Sequence, residues 1–343
     1  MTNGPAQSAQ AIPPNRPAAR ISSADGLPEP GGFAEFRALA DAAEESDGHP
    51  PFSEQTLVRL RQQPTADQVR PRLLLGFVPD EPQSVPVETP GPLAGVAVLL
   101  ADADGVGATL ELTVHPVFRN QGIGTALLEQ LREERGFAGL RAWSHGNHAA
   151  AERLAGRFGF QPVRELLRLR LATSAGTDQA PVWPDGVRLR SFVPGQDEQA
   201  WLAVNAAAFA HHPEQGAMTL SDLQARMAED WFDPDGFLLA VDDADQVLGF
   251  HWTKVHAGAN GHADLGEVYV VGIAPQAQGT GLGKALTLAG IDYLHRRGLA
   301  AIMLYVDADN TAAVALYRKL GFSPWDADVM YGLPDAAAGA TVE

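Results

Sequence analysis

Alternation and helical spacing of the apolar positions divide this chain into short strands and amphipathic helices, in an order that is run through twice. Helical spacing covers 33–45 and 53–62, and Ser53 opens the second stretch with a side chain suited to an N-cap. Apolar runs at 72–77, 94–100 and 109–114 predict strands, and the Pro-rich segment 79–92 predicts a loop between the first two. After a glycine-rich turn come a helix over 125–135, a strand over 140–144, a helix over 149–158 and a strand over 165–171. The succession then returns with a strand over 187–192, helices over 198–209 and 221–229, and strands over 237–241, 247–255 and 267–273. A second glycine-rich turn leads to a helix over 284–297, a strand over 301–306, a helix over 311–320 and a last strand near 329–332.

The two glycine turns align residue by residue. His115-Pro116 stands opposite Ala274-Pro275, and Gly122 and Gly124 stand opposite Gly281 and Gly283. Such self-similarity implies a duplicated domain. Each turn lies between an apolar strand and a helix N-terminus, where backbone N–H groups can approach a phosphate closely. The expected fold is α/β in two like domains, at 31–172 and 187–335. Residues 1–30, with few large apolar side chains, are expected as a disordered leader, and 173–186 as the linker.

Composition narrows the chemistry. The 343 residues suffice for two cores, at 45% hydrophobic and 20% charged content. No apolar stretch reaches the roughly 18 residues of a membrane span, and the first residues lack the core of a signal peptide, so a cytoplasmic protein is expected. The chain has no cysteine, which excludes disulfides, thiolate metal sites and a cysteine nucleophile. The 42 acidic against 25 basic residues, a formal charge of −17, disfavour nucleic acid and anionic membranes. A single phosphorylated ligand remains compatible, because fixed backbone N–H groups act at contact distance.

Arg119-x-x-Gly122-x-Gly124 and Gln278-x-x-Gly281-x-Gly283, each after a strand and before a helix, resemble the acetyl-CoA motif of the GNAT N-acetyltransferases. An Asn followed by a helix ending in Gly-Phe supports this in both halves, from Asn147 to Gly159-Phe160 and from Asn310 to Gly321-Phe322. The rival phosphate motifs do not fit. Gly279 to Thr287 lacks the P-loop spacing, and both turns sit mid-domain rather than after a first strand. The resemblance implies two tandem GNAT domains, each a mixed, mostly antiparallel twisted sheet flanked by helices.

It also separates the two copies. The family's usual tyrosine beside the thioester sulfur falls, counted from Asn310, on Tyr317, and counted from Asn147 on Leu154. Positioned proton transfer to a leaving thiolate typically contributes 10²- to 10⁴-fold. Glu267, eight residues before Pro275, is the candidate base, and the same count before Pro116 gives Ala108. Glu111 lies three residues from that place, on the other strand face. Position alone also allows Tyr317 as a core aromatic and Glu267 as a solvated strand end.

A denser likeness covers 187–331, in segments such as DWFDPDGFLLA, LGFHWTKVH, GEVYVVGIAPQAQGTGLG and LYVDADNTAAVALYRKLGF, and a looser one covers 35–171. These segments are similar to the mycothiol synthases, tandem GNAT enzymes that acetylate the cysteinyl amine of a cysteine–glucosamine–inositol conjugate. The resemblance implies Glu267 and Tyr317 as base and acid, and Glu54, Glu214, Lys254, Glu267 and Tyr305 as substrate-binding residues. For acetyl-CoA it implies Val271, Gly272 and Ile273 along the strand, Gln278, Gly279, Thr280, Gly281, Leu282, Gly283 and Lys284 at the pyrophosphate, and Asn310, Thr311, Ala312, Ala313, Val314 and Ala315 beyond. The first-half equivalents are Leu112, Thr113, Val114, Asn120, Gln121, Gly122, Ile123, Gly124 and Thr125. That copy is expected to support rather than to react.

Acetyl-CoA is the implied cosubstrate, with no metal, no nucleic acid or membrane partner, and a monomeric chain. Two other functions stay open at this point: acetyl transfer to another amine, such as an aminoglycoside or a protein N-terminus, and acetyl-CoA sensing without catalysis.

Overall fold

The structure, a computed structural model, describes residues 19–27, 31–61, 69–78, 91–102, 106–172, 179–210, 215–258 and 263–334. The chain divides into two compact units, Met1–Val163 with Met330–Glu343, and Arg164–Val329.

In the first unit β1 (Arg20–Asp25), β2 (Arg72–Phe77), β3 (Leu93–Ala101), β4 (Ala108–Val114) and β5 (Leu140–Ser144) lie side by side in that order. All neighbours are antiparallel except β4 and β5, whose parallel pairing needs a crossover. Helix α3 (Ile123–Arg135) supplies it. One sheet face is covered by α1 (Gly32–Asp47) and α2 (Glu54–Arg61), where Phe36, Leu39 and Phe52 bury against Leu73, Leu75, Val96 and Val98. The other meets α3, whose Ile123 side chain sits so close to Gly95 that a Cβ there would come within 2.8 Å. Burial on both faces explains why β2 and β3 read as continuous apolar runs rather than alternating ones. Helix α4 (Ala149–Arg157) follows β5.

The second unit repeats the plan with β6 (Gln161–Ala172), β7 (Arg188–Ser191), α5 (Glu198–Ala208), α6 (Leu220–Met227), β8 (Phe237–Val241), β9 (Val247–His256), β10 (Leu265–Ile273), α7 (Leu282–Arg296), β11 (Ala301–Asp307), α8 (Thr311–Lys319) and β12 (Ser323–Gly332). Its strand order is β12-β6-β11-β10-β9-β8-β7, with β10 and β11 parallel through the α7 crossover. Trp201, Phe237, Phe250 and Trp252 form an aromatic core on one face, with Trp252 stacked on Phe237 at 4.3 Å. Leu288, Ile291 and Leu294 of α7 close the other over Ile302 and Leu304.

The expected mixed, mostly antiparallel sheets are therefore present in both halves. Two expectations are corrected. The leader expected over 1–30 contains a strand, because Arg20–Asp25 pairs with β2 along its full length and Asp25 meets Arg72 at 3.1 Å. The first boundary, expected after 172, falls between Val163 and Arg164. The cause is pairing: from Leu166 to Ala172 β6 is matched residue by residue with β11, so it completes the second unit's sheet. At the other end Met330 and Tyr331 count with the first unit, where the Tyr331 hydroxyl donates to Asn147 Oδ1 at 2.9 Å. The segment 173–178 of the expected linker lies outside the described residues, as does Glu214.

Candidate active site

Both units build the same cradle. β10 pairs with β9 from Leu265 to Ile273, while its register with β11 takes in only Gly266, Glu267 and Val268. A bulge at Tyr269 separates the two regimes. Val271, Gly272 and Ile273 thus keep their β9 partners, and their opposite edge lies past the end of the β11 register, where an extended amide chain can add as a strand would. In the first unit β4 pairs with β3 through Val114 but with β5 only through Glu111, which leaves Leu112, Thr113 and Val114 in the same situation.

The turns that follow use left-handed backbone at matching places, Gly279 (φ 77°) with Asn120 (φ 61°) and Gly281 (φ 86°) with Gly122 (φ 85°). Gly281 and Gly122 are the residues from which α7 and α3 start, so the first N–H groups of each helix, those of Leu282, Gly283 and Lys284 in α7, open onto the turn. Gln278 Nε2 donates to Ile273 O at 3.3 Å and Arg119 Nε to Val114 O at 3.0 Å, tying each turn to its strand. In α8, Asn310 Oδ1 accepts from Ala313 N at 3.2 Å and so orders the turn over Thr311 and Ala312 that leads to Val314 and Ala315. The first unit's cradle is a cavity of about 500 Å³ whose wall includes Leu112, Thr113, Val114, Asn120, Gly122, Gly124 and Thr125.

Several of the candidate side chains gather on one face of the second unit's sheet. Glu267 pairs with Lys254 on β9 and with Met303 on β11, and Tyr305, two residues after Met303, pairs with Arg168 on β6. The period of two therefore aligns Lys254, Glu267, Tyr305 and Arg168 across four strands. Glu267 is only 5% exposed, and its Oε2 lies 2.6 Å from His256 Nε2. Burial alone would raise its carboxyl pKa, but the hydrogen bond and charge of His256, with Lys254 and Arg168 behind, hold it below the ordinary glutamate range. The group is a carboxylate at neutral pH.

Lys254 is buried as well, its ammonium 4.4 Å from the Trp231 ring centre and 5.2 Å from that of Tyr269. Arg168 donates through Nε to Asp326 Oδ2 at 2.9 Å, hydrogen-bonds Tyr305, and stacks 4.1 Å from the centre of the Trp325 ring. Burial and the Glu267 and Asp328 carboxylates keep the Tyr305 phenol protonated. Tyr317 sits on α8 edge-on to Phe322 at 5.8 Å, and burial pushes its phenol up to about 12. A phenol in that state can give a proton but does not lose one to solvent at neutral pH.

The structure corrects the counting that compared the halves. Phe322 N bonds to Tyr317 O, and in the first unit Phe160 N bonds to Ala155 O, so the counterpart of Tyr317 is Ala155 and not Leu154. Leu154 instead rests on Gly124. The bulge likewise shifts the strand by one. Lys254 opposite Glu267 corresponds to Leu100 opposite Thr109, so Thr109 and not Ala108 stands in the place of Glu267. Neither a phenol nor a carboxylate occupies these first-unit positions. Glu111 serves a different end, because its two oxygens accept from Ser53 N at 3.1 and 3.0 Å and His145 lies 3.1 Å away. It thereby fixes the start of α2, where Glu54 stands. Sequence reading passed over His256, Arg168, Trp231 and Tyr269. The spacing of His256 two residues after Lys254, on the same strand face, was its only sequence signal.

Two profiles of known families match. One described as "Acetyltransferase (GNAT) family" covers residues 203–322, and one described as "Acetyltransferase (GNAT) domain" covers 86–162. A mycothiol acetyltransferase of Renibacterium salmoninarum is 60% identical over 304 residues, 88% of this chain and 87% of its own. One of Salinispora arenicola is 50% identical over 315 residues, covering 91% and 96%. Among solved structures, a GCN5-related N-acetyltransferase from Sphaerobacter thermophilus has a TM-score of 0.60 at 27% identity, covering 91% of this chain and 94% of its own. A tandem GNAT protein from the clavulanic acid biosynthesis pathway has a TM-score of 0.65 at 19% identity, covering 91% and 98%, and shares the fold. With a GNAT domain matched in each half and such identity along nearly the whole of both chains, this chain belongs to the mycothiol acetyltransferase family.

Proposed function

We propose that the second unit transfers the acetyl group of acetyl-CoA directly to the cysteinyl amine of a cysteine–glucosamine–inositol conjugate, the last step of mycothiol biosynthesis. The observation that carries this reading is the buried, ionised Glu267 on a face shared with Lys254 and Tyr305, next to the strand edge where the cofactor's amides would lie. GNAT acetyltransferases use acetyl-CoA as cosubstrate, and the residues fit it: the splayed edge at Val271, Gly272 and Ile273 suits pantetheine, and the α7 N-terminus suits a pyrophosphate. Lys254, Tyr305 and Glu267, with Glu214, would bind the sugar, inositol and amine.

An α-amino group titrates near 7.7 to 8.0, so a carboxylate need only accept a proton that the amine loses as it attacks. The C–N bond forms, the C–S bond breaks, and the Tyr317 phenol protonates the departing thiolate. With Ala155 and Thr109 in the matching places, the first unit would hold cofactor without transferring from it. On this reading every group invoked belongs to one chain, the reaction needs no second copy, and it takes place in the cytoplasm.

The test is acetyl-CoA consumption with the conjugate and with its des-cysteinyl analogue. Turnover is expected with the conjugate alone, and Glu267→Gln and Tyr317→Phe should each lower kcat about 10²- to 10⁴-fold while leaving acetyl-CoA binding intact. Folded protein that binds acetyl-CoA but leaves the conjugate untouched would overturn the assignment, and unchanged turnover in both variants would remove the roles given to them.

A further inference from the structure

Glu267 is almost fully enclosed, and a proton delivered to it has to leave before the next turnover. Its Oε2 is 2.6 Å from His256 Nε2, and the His256 side chain is 37% exposed. The contact follows from strand geometry. His256 pairs with Leu265, two residues before Glu267, so the imidazole and the carboxylate are diagonal neighbours on one sheet face at the open end of β9. The imidazole is thus in contact with the buried carboxylate on one side and with solvent on the other.

We infer that His256 is a positioning residue that drains the proton from Glu267 to solvent and holds the carboxylate in its ionised, accepting form between turnovers. The inference rests on the proposed reading of Glu267 as the proton acceptor. The amine N–H bond breaks as the C–N bond forms, and the proton passes to the carboxylate. With the ring proton on Nδ1, His256 Nε2 takes that proton from Oε2, the imidazolium releases the Nδ1 proton to water, and solvent-mediated tautomerisation returns the remaining ring proton to Nδ1 for the next turnover. The leaving thiolate takes its proton from Tyr317, whose phenolate regains one from water before the next turnover, so the two transfers remain separate.

Imidazole as a chemical group suits such a relay, because one ring nitrogen can accept a proton while the other gives one up. Among the described residues, the other groups facing the pair do not offer such a route. Lys254 on β9 and Arg168 on β6 are cations that favour the carboxylate, while Tyr305 on β11 is held protonated by burial, Glu267 and Asp328 of β12.

The test uses the full chain and compares His256→Gln and His256→Ala with the wild type, measuring kcat, KM for both substrates and the pH dependence of kcat/KM, with and without added imidazole. Removing the imidazolium's influence leaves burial to raise Glu267, so the acid limb should move to higher pH by about one unit or more. In both variants kcat should fall about tenfold or more, KM for acetyl-CoA should stay within about twofold, and imidazole should restore turnover in His256→Ala. Unchanged kcat and acid limb overturn the inference. A fall in kcat with no shift of the limb and no rescue does so too, as does loss of a cooperative melt in both variants, because each assigns His256 a purely structural part. Wild type that ignores the conjugate would instead refute the proposed function, so the two failures are distinguishable.

Discussion

Two buried titratable side chains of the second unit bring acid sensitivity into the fold. His251 of β9 bonds through Nδ1 to Leu286 O at 2.8 Å and packs where Gly290 leaves room, and burial lowers its pKa to about 4 from 6.5. The folded state therefore keeps it neutral while the unfolded chain takes up a proton below 6.5. Its contribution is complete above that pH and is lost as the pH falls towards 4, a change of roughly 3 kcal/mol. Glu267, also depressed, contributes above its ordinary 4.5 and loses that contribution as the pH falls through its folded value. Denaturation midpoints should thus drop from pH 6.5 downward, and in His251→Leu the step between 6.5 and 4 should vanish, whatever the plateau. An identical slope in that variant would show that the fall has another source.

At the scale of elements, the repeated strand, turn and helix were legible because their signals are local: apolar runs, glycines and helical spacing. Predicted strands at 72–77 and 237–241 coincide with β2 and β8, and Ser53 caps α2 as expected, with Thr56 N donating to its Oγ at 3.2 Å. What failed was counting across irregularities. The bulge at Tyr269 inserts a residue that displaces every equivalence upstream, and Asn147 precedes its helix by one position more than Asn310, because His148 is the cap of α4. The face formed by Lys254, Glu267 and Tyr305 came from resemblance, while Arg168 and His256 emerge only when the ladders place them. In the turn itself, Gly281 stands in left-handed backbone with open space where a Cβ would project, so Gly281→Ala meets strain rather than a clash. That strain costs an L-residue about 1–2 kcal/mol, and the KM for acetyl-CoA should rise about tenfold. An unchanged KM would mean that the turn does not contact the cofactor.

For the molecule as a whole, the place where the chain is cut decides whether a half can stand. Composition suggested a linker at 173–186, since loops announce themselves by their residues, whereas the partner of a strand does not. β6 holds the second unit through its ladder with β11, the Arg164–Asp307 pair at 2.6 Å and the Arg168–Asp326 contact. A fragment beginning at 187 would strip β11 of that neighbour and expose its edge, an aggregation hazard. It should be less soluble and melt less cooperatively than a fragment beginning at 161, as measured by sedimentation and circular dichroism. Equal behaviour of the two would show that β6 is dispensable.

The buried ammonium of Lys254 against Trp231 has one more consequence. Indole emission responds to a charge held against the ring, and a ligand that draws Lys254 toward itself alters that field. If Lys254 binds the acceptor as proposed, Trp231 becomes an intrinsic optical reporter of occupancy that needs no label, while Trp201 and Trp252 lie buried in the aromatic core.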